Sequence, residues 1–127
     1  MQEHIQNELA SFIANCDWEK IAPHFKEDAA YRVLDWVGCA VAGEHYPQVE
    51  IAQKYFIENG DQGNSTVIGH QIKCSPRTAA FLNGIAGHVC ELDDGHRTAI
   101  GHPGSIAVPT ALALGEHLNA SGADVLK

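Results

Sequence analysis

Lys26-Glu-Asp-Ala-Ala-Tyr-Arg-Val-Leu-Asp-Trp-Val-Gly-Cys-Ala-Val-Ala42 has the residue pattern of a long helix. Steps of three and four residues place six apolar side chains on one broad face, namely Ala30, Val33, Leu34, Val37, Ala40 and Val41. The second half of the segment is apolar nearly all round, so we expect it to lie in the middle of the fold. Gly43 follows, and it is predicted to end the helix in the left-handed conformation.

Helical patterns continue on both sides of this segment. Apolar periodicity and end signals predict further helices over residues 3–14, 47–58, 76–90 and 105–118. Ser75 has the form of an N-cap, because Pro76 follows it at the first helical position. Residues 123–127 are predicted to form the first turn of another helix.

A short segment between these helices has β character. Residues 65–74 offer two short β-prone runs separated by Gly69-His70-Gln71, which predicts a small hairpin. The fold class is therefore predicted to be mainly α with one short β-hairpin. A length of 127 residues suits one domain with a single core.

The composition restricts the partners and the cellular location. Eight Lys and Arg residues against 16 Asp and Glu residues give a net charge of −8, which argues against nucleic acid and anionic membranes as partners. The N-terminus lacks a signal peptide pattern, and no apolar run approaches the roughly 18 residues that a membrane span needs. We therefore predict a cytoplasmic protein. The four cysteines form no C-x-x-C pair and are predicted to be buried thiols.

The strongest candidate for a functional site is the segment Gly87-His-Val-Cys-Glu-Leu-Asp-Asp-Gly-His-Arg-Thr-Ala-Ile-Gly-His-Pro-Gly104. It concentrates three carboxylates, three histidines and an arginine among small and apolar residues. Such grouping costs stability unless the groups are solvated, paired or used in chemistry. A carboxylate and an imidazole together can divide proton transfer between a base and an acid. The predicted catalytic residues are His102, Asp93, Asp94 and Glu91.

The residues around His102 also predict where a substrate binds. Gly101 and Pro103-Gly104 restrict the backbone and leave little bulk near the imidazole, so a ligand could approach it. The first residues of the next helix would present free N–H groups and the positive end of a helix dipole, which suits a carboxylate. The predicted substrate-binding residues are His88, Arg97, Gly104 and Ser105.

Simpler interpretations of the same residues stay open. Asp93 and Asp94 could be solvated turn residues paired with His96 and Arg97, and His88 could be a core histidine. A divalent metal could use His88, Asp93, Asp94 or His102. The segment lacks the histidine pair of H-E-x-x-H and any known cation loop, so we predict no metal.

Six motifs taken in order resemble a known family. They occupy residues 34–43, 65–69, 79–84 with His88, 91–94, 102–104 and 109–116. In this order and at these spacings they resemble the N-terminal part of the MmgE/PrpD family. That family includes 2-methylcitrate dehydratase, cis-aconitate decarboxylase and iminodisuccinate epimerase.

The resemblance implies a cofactor-independent homodimer with a large helical domain and a smaller lid domain, acting on di- or tricarboxylic acids. The acidic loop and histidine of the family's active site would correspond to Glu91, Asp93, Asp94 and His102. The shared chemistry forms or quenches a carbanion beside a carboxylate. We expect dehydration of a substrate such as 2-methylcitrate, with decarboxylation and epimerisation as alternatives. Glu91 where the family usually has Asp, and Gly95 where the decarboxylase branch has a hydroxyl residue, argue against decarboxylation.

Family members are several times longer than 127 residues. The resemblance therefore leads us to expect a single helical domain over residues 1–127, as the N-terminal fragment of a two-domain enzyme. Such a fragment would carry half a site and be inactive alone, because a segment of net charge −8 needs added cations to hold a polyanionic substrate. The rival from another class is a non-catalytic helical module for binding or oligomerisation. Exposed small and apolar helix faces predict self-association in either case.

Overall fold

The computed structural model describes residues 2–127 and confirms a mainly α fold with one short hairpin. The helices in chain order are α1 Gln2–Ala14, α2 Pro23–Gly43, α3 Pro47–Glu58, α4 Pro76–His88, α5 Gly104–Leu118 and α6 Gly122–Leu126, with a 3₁₀ helix over Trp18–Lys20. The strands are β1 Ser65–Val67 and β2 Ile72–Cys74. In the described part of the chain, no helix is long and apolar enough to cross a membrane.

Helix α4 lies at the centre of the fold. It packs against α2 on one side and α5 on another, and it also contacts α3 and both strands. Its buried residues are Thr78, Ala79, Leu82, Asn83, Ala86 and Gly87. Ala86 joins the core cluster that contains Trp36, whereas Leu82 joins the cluster that contains Val67 of the hairpin. The second half of α2 lies in the core as expected, since Trp36 and Ala40 belong to the same cluster as Ala86, but α4 is the helix at the centre.

The buried face of α2 agrees with the predicted one only in part: Ala40 is buried as expected. Its buried residues are Trp36, Cys39, Ala40 and Gly43, while Leu34 is 66% exposed and Val41 49% exposed. A segment that is apolar nearly all round has no unique hydrophobic face, and close packing then selects the side that carries small residues.

Gly43 lies where α2 approaches α4 closely on this small-residue side. A methyl group on Gly43 would lie 2.0 Å from the carbonyl oxygen of Ala86, so only glycine lets α2 approach α4 at this point. Gly43 stays within the helix, and the next residue, Glu44, is right-handed. The predicted left-handed helix end is therefore wrong.

The hairpin is antiparallel, and side chains tie it to two helices. Ser65 pairs with Cys74, and the Ser65 hydroxyl donates to the Ala113 carbonyl in α5 at 2.7 Å. In α4, the Asn83 amide accepts from Ile68 N–H and donates to the Thr66 carbonyl, both at 2.9 Å. Buried polar groups are thus satisfied where the hairpin meets the helices.

The predicted cap of α4 is confirmed, and the prediction of buried cysteines is confirmed for two of the four. The Ser75 hydroxyl caps α4 by accepting from Thr78 N–H at 3.4 Å, and Pro76 opens the helix. The cysteines are free thiols: Cys39 and Cys74 are buried as predicted, whereas Cys16 and Cys90 are only partly buried.

Candidate active site

A buried carboxylate forms the centre of the site. Asp93 lies in the loop between α4 and α5, and its side chain is 0% exposed. Nδ1 of His88, the last residue of α4, lies 3.1 Å from Asp93 Oδ1 and 3.2 Å from Oδ2. The hydroxyl of Ser105, in the first turn of α5, donates to Oδ2 at 2.5 Å. Both carboxylate oxygens therefore have polar partners.

His102 reaches the same carboxylate from the other end of the loop. Its Nδ1 lies 3.3 Å from Asp93 Oδ1, yet this buried nitrogen has no hydrogen-bond partner among residues 2–127. The centroids of the His88 and His102 rings are 4.6 Å apart. Because both Nδ1 atoms face Asp93, the Nε2 atom is the nitrogen that each ring has left for a ligand.

The charge of Asp93 is secured by its partners. Burial by itself would raise the pKa of Asp93, but the hydrogen bonds from Ser105 and His88 and the charges of His88 and His102 outweigh it and lower the pKa. Asp93 is therefore ionised at neutral pH. A buried, ionised carboxylate that accepts from Nδ1 is suited to orienting an imidazole whose other nitrogen handles a proton.

A cleft between α4 and α5 gives access to this cluster. It has a volume of about 760 Å³, and His88, His102 and Ser105 form part of its wall. Most of the remaining wall is apolar, including Phe81, Ile85, Val89, Ile106 and Pro109. Few polar groups in a mostly apolar cleft are the usual features of a small-molecule site.

Asp94 points away from Asp93 and caps α5. Its Oδ1 accepts from Gly104 N–H at 2.9 Å, so this N–H is not free, contrary to our expectation. A methyl group on Gly104 would lie 2.3 Å from the same oxygen. Asp94 also lines a second cleft, of about 540 Å³, together with Arg32. The structure thus separates the two neighbouring carboxylates, and catalytic action by Asp94 stays a prediction.

Glu91 and Arg97 lie outside the Asp93 cluster. Glu91 is exposed and has a left-handed backbone with φ of +50°. Arg97 is exposed and lines a small cleft of about 420 Å³, which it shares with His96 and His102. Arg97 is therefore placed where it could meet a ligand of His102, whereas Glu91 has no such placement.

Trp36 belongs to the site, and our sequence analysis missed it. Its indole Nε1 donates to the Ser105 hydroxyl at 3.2 Å, and the residue is 2% exposed. Trp36 precedes Ser105 by 69 residues, so no local motif joins them. The available signal was its spacing from Cys39, Ala40 and Gly43, which marks one helix face.

The same cluster has donor atoms that a metal could use. His88, Asp93 and His102 each bring one such atom within 4.8 Å of the others. In the structure, His88 Nδ1 and the Asp93 carboxylate already interact with each other. Our expectation of a site without metal stays a prediction.

Fold and site together define a helical domain that presents a buried carboxylate and two imidazoles to an apolar cleft. The chain belongs to the MmgE/PrpD family, because the model of the MmgE/PrpD N-terminal domain matches residues 7–127. This confirms the resemblance found in the sequence.

Two relatives are similar to the chain over most of its length. The cis-aconitate decarboxylase-like protein oryM of Aspergillus oryzae is 30% identical over 113 residues, which cover 89% of the chain and 23% of the relative. The cis-aconitate decarboxylase of Homo sapiens is 34% identical over 99 residues, which cover 74% of the chain and 20% of the relative. The aligned region thus spans less than a quarter of either relative.

Proposed function

We propose that this chain carries the proton-transfer part of an active site for a lyase that acts on small di- or tricarboxylic acids. One observation carries the proposal: two imidazoles lie against a single buried carboxylate in the wall of a cleft. In this proposal His102 moves a proton, His88 binds the substrate beside it, and Asp93 orients His88 by a hydrogen bond and stabilises positive charge on His102.

This arrangement suits the reactions that the family resemblance implies. Loss of CO₂ leaves an electron pair on carbon, and that carbon must then take a proton. Dehydration removes a proton from the carbon beside a carboxylate and delivers one to the departing hydroxyl. Both reactions therefore need a group that exchanges protons near neutral pH, and imidazole is the side chain best suited to that task.

The names of the relatives favour decarboxylation of cis-aconitate as the first reaction to test. Dehydration of 2-methylcitrate is the second candidate, because Gly95 stands where the decarboxylase branch has a hydroxyl residue. A methyl group on Gly95 would meet nothing within 4 Å, so a serine fits there. Gly95→Ser should therefore favour cis-aconitate over 2-methylcitrate if this position separates the two reactions.

A polyanionic substrate needs cations, and the net charge of −8 makes their position important. Lys73 is bound to Glu116 at 2.9 Å, in the contact between the hairpin and α5. Arg97 shares a cleft with His102, and we therefore propose that Arg97 binds a substrate carboxylate. Arg97→Gln should weaken the binding of cis-aconitate more than Arg77→Gln, because Arg77 is an exposed arginine outside the three clefts described above.

A cytoplasmic homodimer without nucleic-acid or membrane partners is part of the proposal. The net charge of −8 supports the absence of these partners. Ile5, Leu9 and Phe12 of α1 are exposed apolar residues that a second copy could cover. Sedimentation at several protein concentrations would test this, and a monomer at every concentration would contradict it.

The central test compares His102→Gln with His117→Gln. His117 is an exposed histidine of α5 that contacts Asn64, so its replacement is a matched control. We expect His102→Gln to lower any turnover of cis-aconitate by about 100-fold or more. In the absence of turnover, titration with cis-aconitate should shift the imidazole NMR signals of His88 and His102 and leave His117 unchanged. Equal shifts at all three histidines, or full activity of His102→Gln, would contradict the proposal.

A further inference from the structure

We propose that Trp36 and Ser105 are positioning residues, which hold Asp93 in one orientation through a one-way chain of hydrogen bonds. The catalytic value of this hydrogen-bond chain rests on the function proposed above. The contacts themselves do not, and they can be tested without any substrate.

The direction of the chain follows from the chemistry of its members. An indole N–H can only donate, so the Ser105 oxygen must accept from Trp36 Nε1 at 3.2 Å. The hydroxyl has a single proton, and it is donated to Asp93 Oδ2 at 2.5 Å. Asp93, whose lowered pKa keeps it ionised, can only accept. Each group therefore has one role, and the hydroxyl has one orientation that satisfies both neighbours.

Close packing holds the donor of this chain in place. The Trp36 ring lies against α4 at Gly87, where a methyl group would be 2.6 Å from the ring atoms. Gly87 directly precedes His88, so one turn of α4 supports both the indole and an imidazole. The hydrogen-bond chain thus joins α2 and α5 to the loop residue Asp93 at the wall of the cleft.

The consequence concerns the two imidazoles. With Oδ2 held by Ser105, the carboxylate cannot turn freely, and His88 keeps its interaction with both oxygens. His102 Nδ1 has no hydrogen bond among the described residues. Because Trp36 and Ser105 fix the carboxylate, His88 stays hydrogen-bonded to it. His102 has no such bond and is therefore the imidazole that is freer to move with a proton.

The first experiment detects the contact between Trp36 and Ser105. Amide and indole N–H signals of the 127-residue chain are recorded by NMR for the wild type, Ser105→Ala and Ser105→Thr. Ser105→Ala should move the Trp36 indole signal and speed its hydrogen exchange about 10-fold, because one hydrogen bond is lost. Ser105→Thr retains a hydroxyl and should restore the signal. The Trp18 indole, which lies under Lys26, is the internal control. An unchanged Trp36 signal in Ser105→Ala would overturn the proposal.

The second experiment detects the effect on the imidazoles. Trp36→Phe removes the indole donor and keeps an aromatic ring, and Trp18→Phe is its matched control. We expect the ratio of Nδ1–H to Nε2–H tautomer at His88, read from the ¹⁵N shifts, to fall about 3- to 10-fold in Trp36→Phe and in Ser105→Ala. Trp18→Phe should leave it unchanged. An unaltered His88 ratio in folded Ser105→Ala would overturn the positioning role.

In a turnover assay, Trp36→Phe should lower kcat about 3- to 10-fold and leave KM within about twofold, because the buried indole does not line the cleft of His88 and His102. A change in KM alone would contradict the positioning role. Failure to bind any carboxylate, combined with the expected NMR changes, would refute the proposed function and leave the hydrogen-bond chain intact.

Discussion

Asp93 and Glu116 show how one kind of interaction can serve two purposes. Each is a shielded carboxylate that accepts a hydrogen bond from a hydroxyl group, Ser105 for Asp93 and Thr66 for Glu116. Burial by itself would raise the pKa of each, but hydrogen bonds and nearby positive groups lower both. The two sites differ in their nitrogen donors and in their surroundings.

Glu116 is bound by an ammonium group and a backbone N–H. Lys73 contacts its Oε1 at 2.9 Å, and the backbone N–H of Thr66 donates to Oε2 at 2.6 Å. These contacts fasten the hairpin to α5. Asp93 instead faces two imidazoles that line a cleft. A hydrogen-bonded carboxylate therefore indicates chemistry only when its partners are acid–base side chains that a ligand can reach.

The largest expected effect distinguishes the two carboxylates by their burial. Asp93→Asn should lower the free energy of unfolding by about 2–3 kcal/mol, because the hydrogen-bond partners of a fully buried carboxylate lose their charged acceptor. Glu116→Gln should cost only about 1 kcal/mol, since the Glu116 side chain is 36% exposed. Urea denaturation at pH 7 measures both values. Equal losses of stability in the two variants would show that burial of a carboxylate does not determine how much it stabilises the fold.

The second-largest expected effect tests the packing of Trp36 against α4, which supports the Asp93 site. Gly87→Ala should lower the free energy of unfolding by about 2 kcal/mol, because the new methyl group overlaps the Trp36 ring. Gly38→Ala is the matched control within α2, where a methyl group meets nothing within 4 Å. It should raise stability by about 0.5–1 kcal/mol. A tolerated Gly87→Ala would mean that Trp36 does not need its position against α4.

The smallest effect is the response to acid, which both carboxylates should share. A carboxylate with a lowered pKa binds protons less readily in the folded than in the unfolded chain, so acid favours unfolding. Stability should therefore fall as the pH drops below the ordinary values of 3.8 for Asp and 4.5 for Glu. Asp93→Asn should lose less stability over this range than the wild type. Identical pH profiles would show that Asp93 contributes nothing to acid sensitivity.

Much of the helical fold could be predicted from local signals. The helix over Pro47–Glu58 and the hairpin over residues 65–74 appear where periodicity and turn residues placed them. The centre of the fold could not be predicted in this way. Helix α4 lies at the centre because its small residues let α2 and α5 approach it closely.

The sequence predicted the candidate site as one segment, but the fold brings only some of its residues together. Asp93, His88 and His102 do come together, as their density in one segment indicated. Asp94, one residue away from Asp93, caps α5 instead. Adjacent side chains in a loop can point in different directions, and no periodic pattern states which one turns inward.

The sequence by itself determined the helical class, the family and the loop that carries the titratable groups. These depend on local periodicity, composition and ordered motifs, all of which can be read along the chain. Only the tertiary structure decided which carboxylate is buried, which imidazole is hydrogen-bonded and that Trp36 of α2 takes part. These properties depend on contacts between residues far apart in sequence, since packing of α2, α4 and α5 determines which polar groups lose water and which partners replace it.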